Sequence, residues 1–296
     1  MTLTELVTQA AERLQAAGVA FGQGTLNAWD EAAWLVLWRL GLPLDTELDA
    51  HAGDLDPAGI ASVQALIEAR IAQRLPAAYL TGEAWLQGVP FDIDPRSIIP
   101  RSLIAEVLAE GQIDAWLGED PAQVLDLCTG NGSLAVLAAL AWPQAQVTGA
   151  DISPDALAVA ERNRARHGLG ERLLLHCGNG LQGLRGPYDL ILCNPPYVSA
   201  ARMAALPAEF RAEPELALAG GQDGMDFVRE LLQQAASVLQ PNGVLVLEIG
   251  NEIEHFQHAF PQLSVVGMET SAGDEQVLLI TREALLAAHG PTQVAP

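Results

Sequence analysis

An open, doubly wound α/β sheet of seven strands, behind a small helical region and a β-hairpin, is the fold the sequence predicts. Three observations predict it. Short apolar runs recur at Val124–Cys128, Val147–Asp151, Leu173–Cys177, Asp189–Cys193, Val244–Ile249, Leu263–Met268 and Val277–Thr281. Segments of helical character separate the earlier runs, as crossovers between parallel strands require. A glycine turn follows the first run and an acid closes the second, and ligands in such sheets sit outside the carboxyl ends of the strands.

The elements follow in order. Apolar positions recur at helical spacing in Leu3–Leu14, Trp29–Leu40 and Ile60–Ile71, and Asn27 precedes the acidic pair Asp30 and Glu31, which suits a helix start. Trp34 and Trp38, four residues apart on one face, read as core packing. Tyr79-Leu80-Thr81-Gly82 and then Trp85 to Asp94 carry the aromatic residues, glycines and partial alternation of a hairpin. Ile98-Ile99-Pro100-Arg101 closes it. Within the sheet region, Ser153-Pro154 supplies an N-cap and a first-turn proline, and Gly168 a helix stop. Residues 1–78 are therefore expected to be a helical domain, 79–102 a hairpin linker, 103–285 the α/β domain and 286–296 a tail.

A chain of 296 residues, half of them hydrophobic, can bury one large core and carry an accessory domain. It has no apolar run of the roughly 20 residues that a spanning helix needs, and no signal-peptide pattern from Met1 to Ala20. Cys128, Cys177 and Cys193 form no CxxC pair, so neither a metal site nor a disulfide framework is expected, and the expected home is a reducing cytoplasm. Acidic residues number 37 against 15 basic ones, all arginine, for a formal charge of −22. That charge repels phosphate backbones, so direct nucleic-acid binding is not expected, and it favours a basic partner. A merely soluble or salt-adapted surface has the same balance, so charge alone decides little.

Val124-Leu125-Asp126-Leu127-Cys128-Thr129-Gly130-Asn131-Gly132-Ser133 reads as a buried strand running into a turn where backbone can approach a ligand. Twenty-one residues after Gly130 comes Asp151, whose carboxylate can accept from both hydroxyls of a ribose. Gly130 to Ala135 also fits the dinucleotide pattern G-x-G-x-x-A, so this segment alone leaves nicotinamide binding open. The next motif separates the two. Asp189 to Cys193 ends in Asn194-Pro195-Pro196-Tyr197, where two prolines fix the backbone and remove donors. The Asn194 side-chain oxygen and the Pro195 carbonyl are then free to hold both hydrogens of an NH2 group. An amide nitrogen is a poor nucleophile, and acceptors on its hydrogens orient it and stabilise the charge it gains as a methyl group transfers. Tyr197 offers an aromatic face to a planar group or beside a sulfonium methyl. Hydride transfer has no use for such a corner, so methyl transfer is the expected chemistry.

These residues resemble the HemK-like family of protein glutamine N5-methyltransferases, over about Phe21 to Leu285. Other family-like segments are Tyr79–Gly82, Ile99–Arg101, Glu213–Leu218, Gly220–Gly224 and Glu248–Gly250. The resemblance implies a Rossmann-like class I methyltransferase domain. It implies S-adenosyl-L-methionine as cofactor, bound by Asp126, Thr129, Gly130, Gly132, Asp151, Ile152, Asn179 and Asn194. Asn194, Pro195, Pro196 and Tyr197 would hold the glutamine, with Asn194, Pro195 and Tyr197 catalytic. Phe21–Ala32, Pro100–Glu106, Cys128-Thr129-Gly130 and Leu206–Arg211 resemble the branch acting on the third protein of the large ribosomal subunit, a basic partner met free or in an assembling subunit. Asn131 stands where a smaller Ser or Thr is usual, and Asn179 where Asp is usual; an Asn there still accepts through its oxygen. The alternatives are the same chemistry on a peptide-release factor, an adenine methyltransferase, which would need a basic groove, and a non-catalytic cofactor-binding assembly factor. Arg162, Arg164 and Arg166 read as a solvated helix face, and His167 and His176 receive no role.

Overall fold

The computed structural model describes residues 1–50, 53–118 and 120–289. The first helices, α1 (Leu3–Ala16), α2 (Ala28–Leu40) and α3 (Pro57–Gln73), start where capping chemistry allows. Thr2 forms a capping box with Glu5, Asn27 accepts from the Asp30 amide, and Asp56 accepts from Gly59 ahead of Pro57 at the first turn. Each such cap contributes about 1 kcal/mol. Their apolar stripes meet in one cluster built on Leu3, Leu6, Leu14, Leu35, Val36, Val63 and Ile67.

A short helix α4 (Ala77–Thr81) then leads to β1 (Glu83–Leu86) and β2 (Val89–Asp92), an antiparallel hairpin. Gln87 and Gly88 both have positive φ, 50° and 73°, as a two-residue primed turn demands. Tyr79 to Thr81, expected as part of the hairpin, are thus helical. Pro76 fixes a helix start there, and Gly82 ends it in the left-handed region.

The remaining chain runs α5 (Ile104–Ala109), α6 (Asp114–Leu117), β3 (Gln123–Leu127), α7 (Ser133–Ala141), β4 (Gln146–Asp151), α8 (Pro154–Arg166), β5 (Leu173–Cys177), β6 (Tyr188–Cys193), α9 (Ala200–Ala205), α10 (Asp226–Val238), β7 (Leu239–Glu248), α11 (Ile253–Ala259), β8 (Val266–Gly267), β9 (Val277–Thr281) and α12 (Arg282–His289). The expected tail begins inside α12, and residues 290–296 lie outside the described residues. Among the described residues seven strands form one sheet in the order β5-β4-β3-β6-β7-β9-β8. The five strands β3 to β7 are parallel, while β9 and β8 are antiparallel additions at one edge.

Continuous apolar runs made the strands readable because both faces are covered. Val124, Leu190, Leu192, Val244 and Val246 meet α5 and α7 on one side; Leu125, Leu127, Ile191, Leu245 and Leu247 meet α10 and α12 on the other. The chain progresses outward from β3 to β5, then returns to place β6 on the other flank of β3. That reversal is the topological switch point, and it opens a cleft at the carboxyl ends of β3 and β6. Among the described residues no helix is long and apolar enough to cross a membrane.

Candidate active site

The turn after β3 is a strained one. Cys128, Gly130 and Gly132 all have positive φ, at 62°, 56° and 81°, and Cys128 holds this conformation without being glycine. Asp126, 1% exposed, fixes the turn from below: one oxygen accepts from the Thr129 hydroxyl at 2.5 Å and the Ala135 amide at 2.9 Å. Its other oxygen has no partner among the described residues, and burial raises its pKa to about 7. Asn131 accepts from the Ser133 amide at 3.3 Å, starting α7. Gly132 lies so close to α8 that a Cβ would stand 3.1 Å from that of Ala160.

At the end of β4, Asp151 accepts from the Gly130 amide at 2.9 Å and from the Ser153 amide at 2.8 Å, one bond to each oxygen. With the Ile152 amide also in reach, the carboxylate still keeps lone-pair capacity, and burial raises its pKa from the ordinary value. Asn194 follows β6. Its carboxamide is unpartnered among the described residues, and the Pro195 ring is buried. The Tyr197 hydroxyl donates to Glu248 at 2.9 Å. Burial and the neighbouring Glu248 charge hold the Tyr197 pKa well above the ordinary phenol value, so it stays neutral.

Three glycines enclose this corner. A Cβ on Gly220 would stand 2.6 Å from the Pro196 carbonyl oxygen, one on Gly224 2.2 Å from the Tyr197 carbonyl oxygen, and one on Gly250 2.5 Å from the Tyr197 ring. The Val198 amide donates to Leu218 at 2.8 Å and the Gly220 amide to Val198 at 2.9 Å, so the Gly220–Gly224 segment is a backbone clamp on Asn194–Tyr197. Glu248 adds a second anchor. It accepts from Tyr197, from the Ser102 hydroxyl at 2.5 Å and from the Leu103 amide at 2.9 Å, joining β7 to the start of α5. Arg101 is occupied in the same wall, by two bonds to Glu213 at 2.6 and 2.8 Å, and Glu213 also accepts from the Ile99 amide at 3.0 Å.

One cleft of about 230 Å³ collects these groups. Of the residues expected from sequence, Thr129, Gly130, Asp151, Ile152, Asn179, Asn194, Pro195, Pro196 and Tyr197 line it. Asp126 and Gly132 do not reach its surface: the first supports the turn from beneath and the second packs it on α8. Lining residues that sequence reasoning missed include Ser97 and Phe227, while Asn131 and Pro214, Leu216, Ala217 and Leu218 stood in segments it quoted but were given no site role. Asn163 was missed as well. Fully buried on α8, it accepts from the Asp92 amide at 2.7 Å and donates to the carbonyls of Asp92 at 3.0 Å and Asn131 at 2.8 Å, bridging hairpin and glycine turn. Its bonds reach 71 and 32 residues away, which leaves no local signal. Glu213 and Glu248 stood within the family-like segments, so that signal was available.

Residues 119–282 match the family described as a methyltransferase domain. Its fold is also found in the hMettl16 catalytic domain solved with a MAT2A 3'UTR hairpin, at a TM-score of 0.51 and 12% identity over 78% of this chain and 83% of that one. The sheet, its switch-point cleft and this match together define a Rossmann-like methyltransferase. Ribosomal protein uL3 glutamine methyltransferases are similar at much greater depth. That of Bordetella pertussis is 54% identical, covering 96% of each chain. That of Burkholderia pseudomallei is 49% identical over 98% of this chain and 97% of its own, and that of Neisseria gonorrhoeae 45% over 96% of each. The chain belongs to the ribosomal protein uL3 glutamine methyltransferase family.

Proposed function

We propose that the chain transfers the methyl group of S-adenosyl-L-methionine to the side-chain nitrogen of a glutamine in ribosomal protein uL3. The observation that carries this is the convergence of Asn194-Pro195-Pro196-Tyr197 and Asp151 on one cleft at the switch point. The fit to a sulfonium nucleoside rests on three features. Asp151 has lone-pair capacity left for ribose hydroxyls, Asn179 lines the cleft beyond β5, and Gly130, at φ 56°, presents backbone without a side chain to the cleft. Bound there, the cofactor would supply an electrophilic methyl group.

The chain's own residues do the rest. The Asn194 oxygen and the Pro195 carbonyl accept the two amide hydrogens, turn the nitrogen lone pair toward the donor and offset the positive charge it gains. Tyr197, locked by Glu248 and Gly250, forms a rigid neutral wall for the planar amide. Asp151 belongs to the β4 end, separated from Asn194 by β3, so the nitrogen's surplus proton leaves to water. Asp126 and Gly132 act by holding the turn in shape. Residues 1–78 select the protein substrate, 79–102 link, and 103–285 carry the chemistry, in the cytoplasm. The substrate is the basic protein, free or in an assembling subunit, and nucleic acid is not contacted directly.

The test is radiolabelled methyl transfer to purified uL3, with peptide-release factors in parallel, for the natural chain and for Asn194→Ala. Loss of one such acceptor costs about 10²–10³-fold in kcat, read at saturating S-adenosylmethionine because Asn194 is also expected to touch the cofactor. Label on release factors alone overturns the substrate. An Asn194→Ala variant that still methylates at the natural rate overturns the mechanism.

A further inference from the structure

We infer that Ser97 binds the amino-acid end of the methyl donor. The inference rests on the reading that the cleft takes S-adenosylmethionine. Ser97 is 1% exposed, lines the cleft, and its Oγ has no partner among the described residues. Its other polar groups are used: the amide donates to the Asp94 carbonyl at 3.1 Å, and its carbonyl accepts from the Tyr79 hydroxyl at 2.7 Å. A hydroxyl desolvated this far is expected to find a partner. It lies against the glycine turn, since a Cβ built on Gly130 would stand 3.4 Å from Oγ.

The order of the sheet says which part of the ligand reaches it. Asn179 lies beyond β5, Asp151 beyond β4, the glycine turn beyond β3 and Asn194 beyond β6. With base and ribose over β5 and β4, the sulfonium and its amino-acid arm fall over β3, where Ser97 abuts Gly130. The arm ends in a carboxylate and an ammonium, and a hydroxyl serves either one. The nearby cations are already committed, Arg96 to Asp94 at 2.8 Å and Arg101 to Glu213. Among the described residues Ser97 Oγ and Asn131 Nδ2 are the buried, unpartnered side-chain atoms lining this end of the cleft, and of the two only the hydroxyl can serve carboxylate and ammonium alike, since Nδ2 donates only.

Two ligands isolate the contact in the full chain. S-adenosylhomocysteine carries the amino-acid arm; 5′-methylthioadenosine lacks it. By isothermal titration, Ser97→Ala should weaken S-adenosylhomocysteine about tenfold, as loss of a hydrogen bond to a charged group does, and leave 5′-methylthioadenosine unchanged. Ser97→Cys keeps the size with a weaker donor and should lose less. Thermal stability of both variants should match or exceed the natural chain, because the hydroxyl has no protein partner to lose. Equal loss for both ligands would make Ser97 a general support of the turn and overturn the inference. No loss for either ligand would also overturn it. A natural chain that binds neither ligand would instead overturn the cofactor reading itself.

Discussion

Asp126 lies beneath the glycine turn with one oxygen bonded twice and the other facing no partner. Burial disfavours its charged form and raises its pKa to about 7 from 3.8, against the opposing bonds from Thr129 and Ala135. The folded chain therefore holds this proton more tightly than the unfolded one. Between about pH 4 and pH 7 folding stability falls as pH rises, and above pH 7 the full cost remains, about 4 kcal/mol at most. Asp126→Asn removes that slope. Glu31 and Glu248, also raised by burial, tilt both proteins alike, so the difference reports Asp126 together with its coupling to the Asp151 charge. Thermal melts from pH 5 to 8 should show the variant gaining on the natural chain as pH rises; parallel curves would sink the assignment. At this scale the sequence disclosed residues whose chemistry is local. Asn194 announces itself through its two prolines, and Asp151 through its distance from Gly130. Asn163 bonds partners far along the chain, and the Ser97 hydroxyl has no protein partner among the described residues, so neither is marked by a local pattern of its own.

At the scale of elements, the hairpin is fastened to α8 by two kinds of bond. Arg162 reaches Asp94 at 2.7 Å, and Arg166 reaches Glu83 at 2.6 Å and Asp92 at 2.7 Å, all at partly exposed positions. Expected as a solvated face, these arginines instead form ion pairs across to the hairpin, because the hairpin presents its carboxylates over that face of α8. His167, too, bonds the Pro90 carbonyl at 2.9 Å. Exposed pairs contribute about 0.2–1 kcal/mol each. Asn163 is different: its loss strands the buried Asn131 carbonyl and the part-buried amide and carbonyl of Asp92, a cost of about 3 kcal/mol. Urea denaturation should therefore rank Asn163→Ala well below Arg162→Ala and Arg166→Ala in stability. Only the first should also weaken S-adenosylmethionine, since it alone releases the Asn131 carbonyl of the glycine turn. Equal losses across the three would refute the ranking. The strands were legible because each is buried on both faces. The early part of β7, Leu239 to Gly243, was not, because Gln240-Pro241-Asn242-Gly243 carries turn chemistry and interrupts the ladder, which pairs Leu239 and resumes at Val244.

Over the whole molecule, a buried ion network joins the helical region to the cleft. Arg70, 1% exposed, pairs with Glu31 at 2.8 Å and Glu209 at 3.4 Å, and Arg74 pairs with Glu209 at 3.2 Å. Glu209 precedes Phe210, whose ring lies 5.5 Å from the Arg101 guanidinium in the cleft wall. The helices that would meet a protein substrate are thus coupled to the wall that would receive its glutamine. Outside such pairs the acidic excess is left as a field, with a formal charge of −22 over the chain. A basic protein approaching that field is drawn in faster than diffusion of neutral bodies allows, and salt screens the attraction within about 10 Å at 0.1 M. Screening acts on encounter and leaves bond making inside the cleft alone. Raising ionic strength from about 50 to about 400 mM should therefore lower kcat/KM for uL3 about tenfold. It should leave kcat at saturation and the affinity for S-adenosylmethionine nearly constant. Steady-state methyl transfer at several salt concentrations checks this. A kcat/KM that ignores salt, or a kcat that falls in step with it, would show that the acidic surface plays no part in meeting the substrate.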